Sequence, residues 1–368
     1  MKILELTTFT AGICGVGARV LQESQLLAEK GHEVQIFSTN FTKGSKEIAS
    51  SEETIGKVKV TRFPAKRLGG ESYTRWNFIQ KAIEFNPEVI IAHAYRHTHT
   101  TKALKISKML NARVFLVTHA PFVPGNSTRS FLAKQAVNFY DYFIGPNSIK
   151  KFNKVIAITK WEIPFLEKLG LEKDKIAYVP NGISPIFFTT KKSKEKNTIL
   201  FVGRVSPIKD LETLIRAFHL AKIPGYTLEI VGPAENDYLN KLNSIINKEN
   251  IENVIFSGPI FDKTTLVEKI DESKIFVLPS KREAMPQALI EAMARGKIVI
   301  ASDNLGTRDL IVDGKNGIIF PVGDINALAK ALEHAVKSKS SNISNSAIST
   351  ASNFKWEKVI ELLEKVIS

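Results

Sequence analysis

The sequence of 368 residues predicts an α/β protein made of two doubly wound, parallel-sheet domains. Its length exceeds what a single hydrophobic core usually holds. Short apolar runs alternate with helical periodicity in the first half of the chain, and the same alternation starts again at Thr198. Between the two series lies PNGISPIFFTTKKSKEKN, whose proline, glycine and lysine-rich polar stretch is typical of a linker.

The elements follow in order. The first domain, residues 1–186, reads as KILELTT, a helix from about Ala18 to Lys30, then the strands HEVQIFST, KVKVTRF, PEVIIAH, ARVFLVTH and KVIAIT. The second, residues 187–352, reads as TILFVG, a helix over Leu211 to Ala221, then YTLEIVG, NVIFSG, KIFVLPS and KIVIAS. Residues 353–368 form an amphipathic segment, predicted to be a helix that packs back on the first domain.

Composition indicates a folded protein, with 43% hydrophobic and 24% charged residues. The first residues read as a strand and not as a signal peptide, and no apolar run reaches the roughly 18 residues of a membrane span. We therefore expect a cytoplasmic protein, or one bound peripherally to the inner face of the cell membrane. The single cysteine, Cys14, excludes an internal disulfide and a thiolate zinc site.

The formal charge of +14 is concentrated in the first half. Residues 1–190 carry 26 Lys and Arg against 15 Asp and Glu, and the remainder carries 25 against 22. An anionic membrane, a phosphorylated acceptor or nucleic acid would suit such a surface, and a basic surface kept for solubility is at least as common. No nucleic-acid-binding motif accompanies the charge, so nucleic acid is not predicted as a partner.

Two glutamates in SKREAMPQALIEAMARG have two interpretations. Pro286 suits the first turn of a helix whose apolar face leaves Glu291 and Arg295 together on the other side. In the first interpretation these two form an ordinary surface pair, and Glu283 is a turn acid favoured by the helix dipole. In the second, both glutamates face a ligand at the carboxyl end of a parallel sheet.

Two turns after strands suit phosphate. Gly15 lies in the loop AGICGVGARV, which lacks the third glycine and the ribose-binding acid of a dinucleotide site, so a nicotinamide dehydrogenase is not supported. Arg204 and Lys209 bracket the turn in FVGRVSPIKD, where two cations near a helix N-terminus suit a diphosphate, although Lys209 could also lie on a solvated turn. Because Asp-x-Asp is absent, these cations and backbone N–H groups are expected to neutralise the phosphates without a metal.

Four histidines follow strands. His93, His97 and His99 invite a metal interpretation, but no carboxylate lies among them, and the spacing of the last two predicts different sides of a helix. His119 ends an apolar strand. It is either a satisfied strand-end histidine or a ligand-facing donor or acid.

Five motifs occur together: CGVG, the Thr-His pair at 118–119, VPNGI at 179–183, GR-x4-K at 203–209, and E-x7-E at 283–291 followed by AMARG. With these motifs the chain resembles, over essentially its whole length, the family-4 retaining glycosyltransferases with the GT-B fold. The resemblance implies two Rossmann-like domains facing a central cleft, the N-terminal one on the acceptor side and the C-terminal one binding the nucleotide-sugar donor.

The resemblance also implies roles for individual residues. Glu283 would meet hydroxyls of the donor sugar, and Glu291 would hold the ribose. Arg204 and Lys209 would bind the diphosphate, which Gly15 would approach, and His119 would lie near the reacting centre. Further contacts to the sugar, the phosphates and the base would come from backbone groups of Met285, Pro286, Gln287, Ala288 and Ile260. Met285 stands where many members of the family carry an aromatic residue, so the resemblance does not predict which sugar is transferred.

The implied reaction is retaining, metal-independent transfer of a hexosyl group from a UDP- or GDP-sugar to a glycan, lipid-linked or other acceptor. No cofactor is expected beyond the nucleotide sugar as co-substrate. One alternative is a GT-B epimerase or hydrolase of sugar nucleotides, which would need no acceptor. A more remote one is a two-lobed sugar-binding protein, which would need neither the paired glutamates nor the cations.

A last segment, from Ser130 to Lys154, places aromatic residues at helical spacing beside Lys150, Lys151 and Lys154. Such a pattern is typical of a surface at an anionic membrane. The alternative is a core-facing helix followed by a solvated basic turn.

Overall fold

The computed structural model describes residues 1–12, 14–68, 71–122, 131–189, 193–338 and 341–368. The chain divides into two units. Unit 1 comprises Met1–Asn181 together with Glu357–Ser368, and unit 2 comprises Gly182–Trp356. The predicted boundaries, after residues 186 and 352, lie within about five residues of these. In the predicted linker, residues 190–192 lie outside the described residues.

Unit 1 contains a sheet of eight strands. The strands of the unit are β1 (Lys2–Leu6), β2 (Ala11–Gly12), β3 (Glu33–Thr39), β4 (Thr42–Lys43), β5 (Glu52–Ile55), β6 (Val58–Phe63), β7 (Ala65–Arg67), β8 (Thr74–Trp76), β9 (Val89–His93), β10 (Arg113–Val117), β11 (Lys154–Ala157) and β12 (Ile176–Tyr178). The sheet order is β12-β11-β10-β9-β1-β3-β6-β5, parallel except for the edge strand β5. β2 with β4, and β7 with β8, form two small ribbons that the sequence did not predict.

The helices of unit 1 cover the sheet. They are α1 (Gly15–Glu29), α2 (Ile79–Phe85), α3 (Thr98–Leu110), α4 (Phe131–Phe139), α5 (Gly145–Ile149) and α6 (Ile163–Lys168), with a π-helical turn at Tyr140–Ile144. α1 begins three residues before the predicted start, because Cys14 caps it: its sulfur accepts a hydrogen bond from the N–H of Gly17 at 3.5 Å.

Unit 2 contains a six-stranded, fully parallel sheet. Its strands are β13 (Thr198–Val202), β14 (Thr227–Val231), β15 (Val254–Gly258), β16 (Ile275–Leu278), β17 (Ile298–Ser302) and β18 (Ile318–Phe320), in the order β15-β14-β13-β16-β17-β18. The helices are α7 (Leu211–Ala221), α8 (Asn236–Lys248), α9 (Lys263–Glu272), α10 (Gln287–Ala294), α11 (Leu305–Arg308), α12 (Ile325–Lys337) and α13 (Ser341–Ala351). The interior strands β16 and β17 are buried along their length, as expected of strands covered on both faces.

The C-terminal helix α14 (Trp356–Ile367) groups with unit 1 from Glu357 onward. Its apolar face is buried, and its Glu364 forms an ion pair with Lys30 at 2.6 Å and lies 3.1 Å from the Nε2 atom of His32. Across the helices of the described residues, none combines the length and the apolar character that crossing a membrane requires.

Candidate functional site

Two loops of unit 2 meet at the carboxyl ends of the neighbouring strands β13 and β16. The Lys209 ammonium lies 2.5 Å from a carboxylate oxygen of Glu283. The backbone N–H of Lys281 donates to the carbonyl of Ile208 at 2.9 Å, so the loops are also joined by main chain. The GR-x4-K motif and the first glutamate of E-x7-E are therefore brought together.

The loop of Glu283 rests directly on α11. A Cβ atom at Gly306 would lie 2.7 Å from the carbonyl oxygen of Ala284 and 2.8 Å from that of Glu283. Only glycine allows this approach, so the position of the loop depends on Gly306.

The cations of this site differ in their surroundings. The side chains of Lys209 and Glu283 are only 20% and 12% exposed and largely neutralise each other. Arg204 is exposed, and no ion pair involves it within the described part of the chain. Lysine has three N–H donors, so a bond to Glu283 leaves two for a ligand.

Glu291 lies in α10 with its carboxylate half-buried. Among the described residues no donor is hydrogen-bonded to this carboxylate. Burial raises the pKa of Glu291 to about 7, against the opposing charge of Lys263. A half-buried acid with a raised pKa and no partner is typical of a ligand site.

The position of Arg295 differs from the one predicted. It was predicted on the polar side of the helix with Glu291, but it follows the last residue of α10 and is 1% exposed. Its guanidinium forms a bidentate pair with Asp271, at 2.7 and 2.6 Å, and donates to the carbonyl of Thr189 at 2.7 Å. The interpretation of Glu291 and Arg295 as a surface pair is wrong, because the end of the helix turns Arg295 into the core.

Most of the remaining predicted donor contacts lie at the start of α10, and Ile260 follows β15. Pro286 is buried and occupies the N-cap, directly before the helix and not in its first turn, and Gln287 begins the helix and is exposed. Met285, Ala288 and Ile260 are partly buried against the core of unit 2.

In unit 1, the two glycines at the start of α1 have different roles. A Cβ at Gly17 would lie 2.5 Å from the carbonyl oxygen of Phe9, so this glycine is required for packing. A Cβ at Gly15 would meet nothing within 4 Å. Gly15 is exposed, and its lack of a side chain leaves the backbone at the helix N-terminus open to a ligand.

His119 lines a cavity of about 420 Å³ in unit 1. The cavity wall includes Tyr95, Arg96, Tyr140 and Val16. Three wall residues have a positive φ without being glycine: Ala94 (75°), Arg96 (71°) and His119 (58°). Backbone of this kind is strained and is concentrated at functional sites.

A buried network of charges holds His119. The Nδ1 atom of His93 lies 3.0 Å from Nε2 of His119, and the other ring nitrogen of His93 lies 2.6 Å from Glu5 and 3.1 Å from Glu23. Arg19 pairs with Glu23 at 3.0 Å. These four residues behind His119 are at most 2% exposed.

The network fixes protonation states. Burial opposes a charge on His93, but Glu5 and Glu23 outweigh it and raise the pKa of His93 to about 9. Burial, reinforced by the charge of Glu23, raises the pKa of Glu5 to about 7. Burial and the charge of His93 hold the pKa of His119 well below its usual value. At neutral pH His119 is therefore uncharged and not an acid: its Nε2 accepts from the charged His93, and its Nδ1 carries the proton as a donor.

The other two histidines have local hydrogen-bond partners, and His97 also lines the cavity beside His119. His97 precedes α3, and its Nδ1 lies 3.0 Å from the hydroxyl of Thr8, while His99 Nε2 lies 2.7 Å from the carbonyl of His93. The rings of His97 and His99 are 5.4 Å apart, so the prediction that they lie on different sides of a helix was wrong. The reason is that His97 stands before the helix and not inside it.

Metal-type ligands converge at one place in the described residues, where Glu5, Glu23 and His93 have ligand atoms within 4.8 Å of one another. Arg19 already supplies positive charge there. Sequence reasoning missed Glu5, Glu23 and Arg19. The available signal was an acid, Glu5, inside the apolar strand KILEL.

The predicted interfacial segment is exposed only in part: Phe152 is buried, as the core-facing alternative expects, and Lys154 is half-buried. Phe139, Tyr142 and Phe143 are 57%, 78% and 57% exposed, so the alternative of a core-facing helix is wrong for these three. Lys150 and Lys151 are also exposed, while Ser130 lies outside the described residues.

Comparison with known proteins agrees with this architecture. The family profile described as "Glycosyltransferase Family 4" matches residues 13–186, and the one described as "Glycosyl transferases group 1" matches residues 183–353. The putative colanic acid biosynthesis glycosyltransferase WcaL of Escherichia coli is 26% identical over 73% of this chain and 66% of its own. An uncharacterized glycosyltransferase of Methanocaldococcus jannaschii is 22% identical over 93% of this chain and 91% of its own.

Solved structures share the whole fold. Sucrose-phosphate synthase from Thermosynechococcus elongatus has a TM-score of 0.79 at 18% identity, covering 100% of this chain and 98% of its own. Anabaena HepE, solved with UDP and glucose, has a TM-score of 0.73 at 20% identity, covering 100% and 99%. Two doubly wound units with these neighbours define the GT-B fold. The chain belongs to the glycosyl transferases of group 1, with an N-terminal half of the family-4 type.

Proposed function

We propose that this glycosyltransferase moves a hexosyl group from a UDP- or GDP-sugar to a glycan, lipid-linked or other acceptor, with retention of configuration and without a required metal. The observation that carries the proposal is the meeting of Lys209 and Glu283 in unit 2, with the exposed Arg204 in the turn that leads from β13 to Lys209. Cations for a diphosphate and an acid for sugar hydroxyls then belong to one site. The Anabaena relative solved with UDP and glucose supports a uridine nucleotide as the first donor to test.

In this proposal Arg204 and Lys209 stabilise the charge that grows on the leaving diphosphate. Glu283 accepts hydrogen bonds from the sugar hydroxyls, and Glu291 accepts them from the ribose. Backbone groups from Met285 to Ala288 hold the sugar and phosphates, and backbone at Ile260 contacts the base.

Unit 1 is proposed to contribute Gly15, through its open backbone, and His119. Because His119 is neutral at pH 7 and its Nε2 accepts from His93, its role is to donate one hydrogen bond from Nδ1 at the reacting sugar and not to protonate the leaving group. The cavity of about 420 Å³ beside His119 is assigned to the acceptor. This cavity favours a transferase over the epimerase or hydrolase alternative, which needs no acceptor.

The acceptor is proposed to lie at an anionic membrane, which Phe139, Tyr142 and Phe143 would contact. Exposed aromatic rings in the same segment as the exposed Lys150 and Lys151 suit such an interface. Co-sedimentation with vesicles of varied anionic lipid content tests this. A variant with glutamate at Lys150, Lys151 and Lys154 should sediment less, and equal sedimentation of both proteins would favour a soluble acceptor.

The activity test begins with a thermal-shift screen of UDP-, GDP- and ADP-sugars. A cognate ligand at 100 times its dissociation constant should add about 2.7 kcal/mol to the free energy of unfolding. Release of the nucleotide is then measured with and without acceptor extracts, and in EDTA.

Glu283→Gln should keep nucleotide affinity or increase it, since Lys209 loses its neutralising partner, while turnover falls. Unchanged turnover would refute the role of Glu283. Loss of activity in EDTA that Mg²⁺ or Mn²⁺ restores would refute the metal-independent mechanism.

A further inference from the structure

Unit 1 has a second concave surface, which none of the residues assigned above lines. It is a groove of about 610 Å³ between the β7–β8 ribbon and α3. Three cations, Lys66, Arg75 and Lys102, line it together with Pro64, Ala65, Trp76 and Asn77. No acid is among these lining residues.

Two of the cations face each other on the ribbon. Lys66 is the direct cross-strand partner of Arg75. Like charges in directly opposite positions destabilise an antiparallel pair. Both side chains are exposed, and in the ranges that the structure describes neither forms an ion pair with an acid. The ribbon therefore carries an electrostatic cost that an anionic ligand would remove.

The third cation is held in place. The Lys102 ammonium donates to the carbonyl of Trp76 and lies 5.3 Å from the centre of the Phe78 ring. Burial and then the charge of Arg75 lower the pKa of Lys102. Lys102 is thus a fixed, partly desolvated cation beside the ribbon, and not a freely solvated side chain.

Trp76 also lines the groove. Its side chain is 3% exposed, and its indole N–H has no hydrogen-bond partner within the described residues. Buried polar atoms are rarely left unpaired. This unpaired N–H is enclosed by protein, so the attraction of the groove for an anion rests on the three cations.

We propose that the groove is a binding site for a phosphate ester. Arginine offers a planar fork that matches phosphate oxygens, and the two lysines add point charges around it. The phosphate could belong to a soluble phosphorylated compound or to a lipid headgroup, and both present the same anionic oxygens. Three of the basic residues that give the first 190 residues their excess positive charge therefore lie in this groove.

The test uses the full chain with Arg204→Gln and Lys209→Gln, so that an anion cannot use the proposed donor site. Inorganic diphosphate is titrated by calorimetry into this background and into the same background with Lys66→Gln and Arg75→Gln. Two lost charge-assisted contacts should weaken binding by roughly tenfold or more. The control pair, Lys105→Gln with Lys108→Gln, removes two exposed charges from α3 outside the groove and should change affinity less than about twofold.

Phosphatidylcholine vesicles with and without phosphatidylglycerol distinguish the sources of phosphate. Diphosphate binding lost in the groove variant indicates a soluble phosphate ester, and vesicle binding lost only in that variant indicates a headgroup. Thermal unfolding separates binding from folding: removal of the opposed charges should leave the melting temperature unchanged or raise it. If the control pair weakens either probe as much as the groove pair, or if neither probe responds to Lys66 and Arg75, the site does not exist.

Discussion

Replacing Arg295 by methionine should strongly destabilise unit 2. The substitution keeps an unbranched aliphatic stem but removes the guanidinium, which now binds both carboxylate oxygens of Asp271. Asp271 is 2% exposed and would be left without this partner. Removing one partner of a buried ion pair costs about 3–5 kcal/mol. For a unit of this size, that loss lowers the melting temperature by roughly 6–20 °C.

Scanning calorimetry of the wild type and the Arg295→Met variant measures the effect. The double variant Arg295→Met with Asp271→Leu is the control, since removing both charges should recover most of the loss. Nucleotide affinity should be unaffected wherever unit 2 is folded. A loss below about 1 kcal/mol, the range of an exposed pair, would show that Arg295 is a surface residue after all and would restore the interpretation in which it pairs with Glu291.

Three further predictions concern protonation and the glycine loop. The imidazole of His93 should titrate near pH 9 by NMR. Its contribution to the free energy of unfolding is complete below its ordinary pKa of 6.5 and is lost as pH rises to about 9. The Glu5→Gln variant should show this loss at lower pH. Nucleotide affinity measured by calorimetry should rise with pH through about 7 as Glu291 ionises, and Glu291→Gln should be weaker and insensitive to pH. Gly17→Ala should lower the melting temperature, whereas Gly15→Ala should keep it and lower kcat/KM; the reverse result would exclude Gly15 from the site.

Much of the fold could be predicted because buried parallel strands have a recognisable pattern of apolar residues in the sequence. Runs such as IFVLPS and KIVIAS have few polar residues, and turn residues or helical periodicity bound them. The pairing of Lys209 with Glu283 could be expected only in outline, from motifs that follow neighbouring strands. Helix periodicity failed at Arg295, because this residue follows the end of α10 and the helical spacing no longer fixes its direction.

The network behind His119 lay beyond sequence reasoning for a different reason. Glu5, Glu23 and His93 come from a strand, a helix and another strand, and only the packing of α1 on the sheet brings them within hydrogen-bonding distance. Likewise, the opposition of Lys66 and Arg75 depends on the register of a short ribbon, which composition does not specify.

The loop that carries Glu283 is positioned by main-chain contacts, to Ile208 on one side and against Gly306 on the other. A substitution at Met285 would therefore alter the lining of the proposed sugar pocket while the loop keeps its path. An enzyme built in this way can change its preferred donor during evolution by single side-chain replacements, without passing through an unstable intermediate. Gly306 cannot be replaced in the same way, because a side chain there would displace the loop whichever donor is bound.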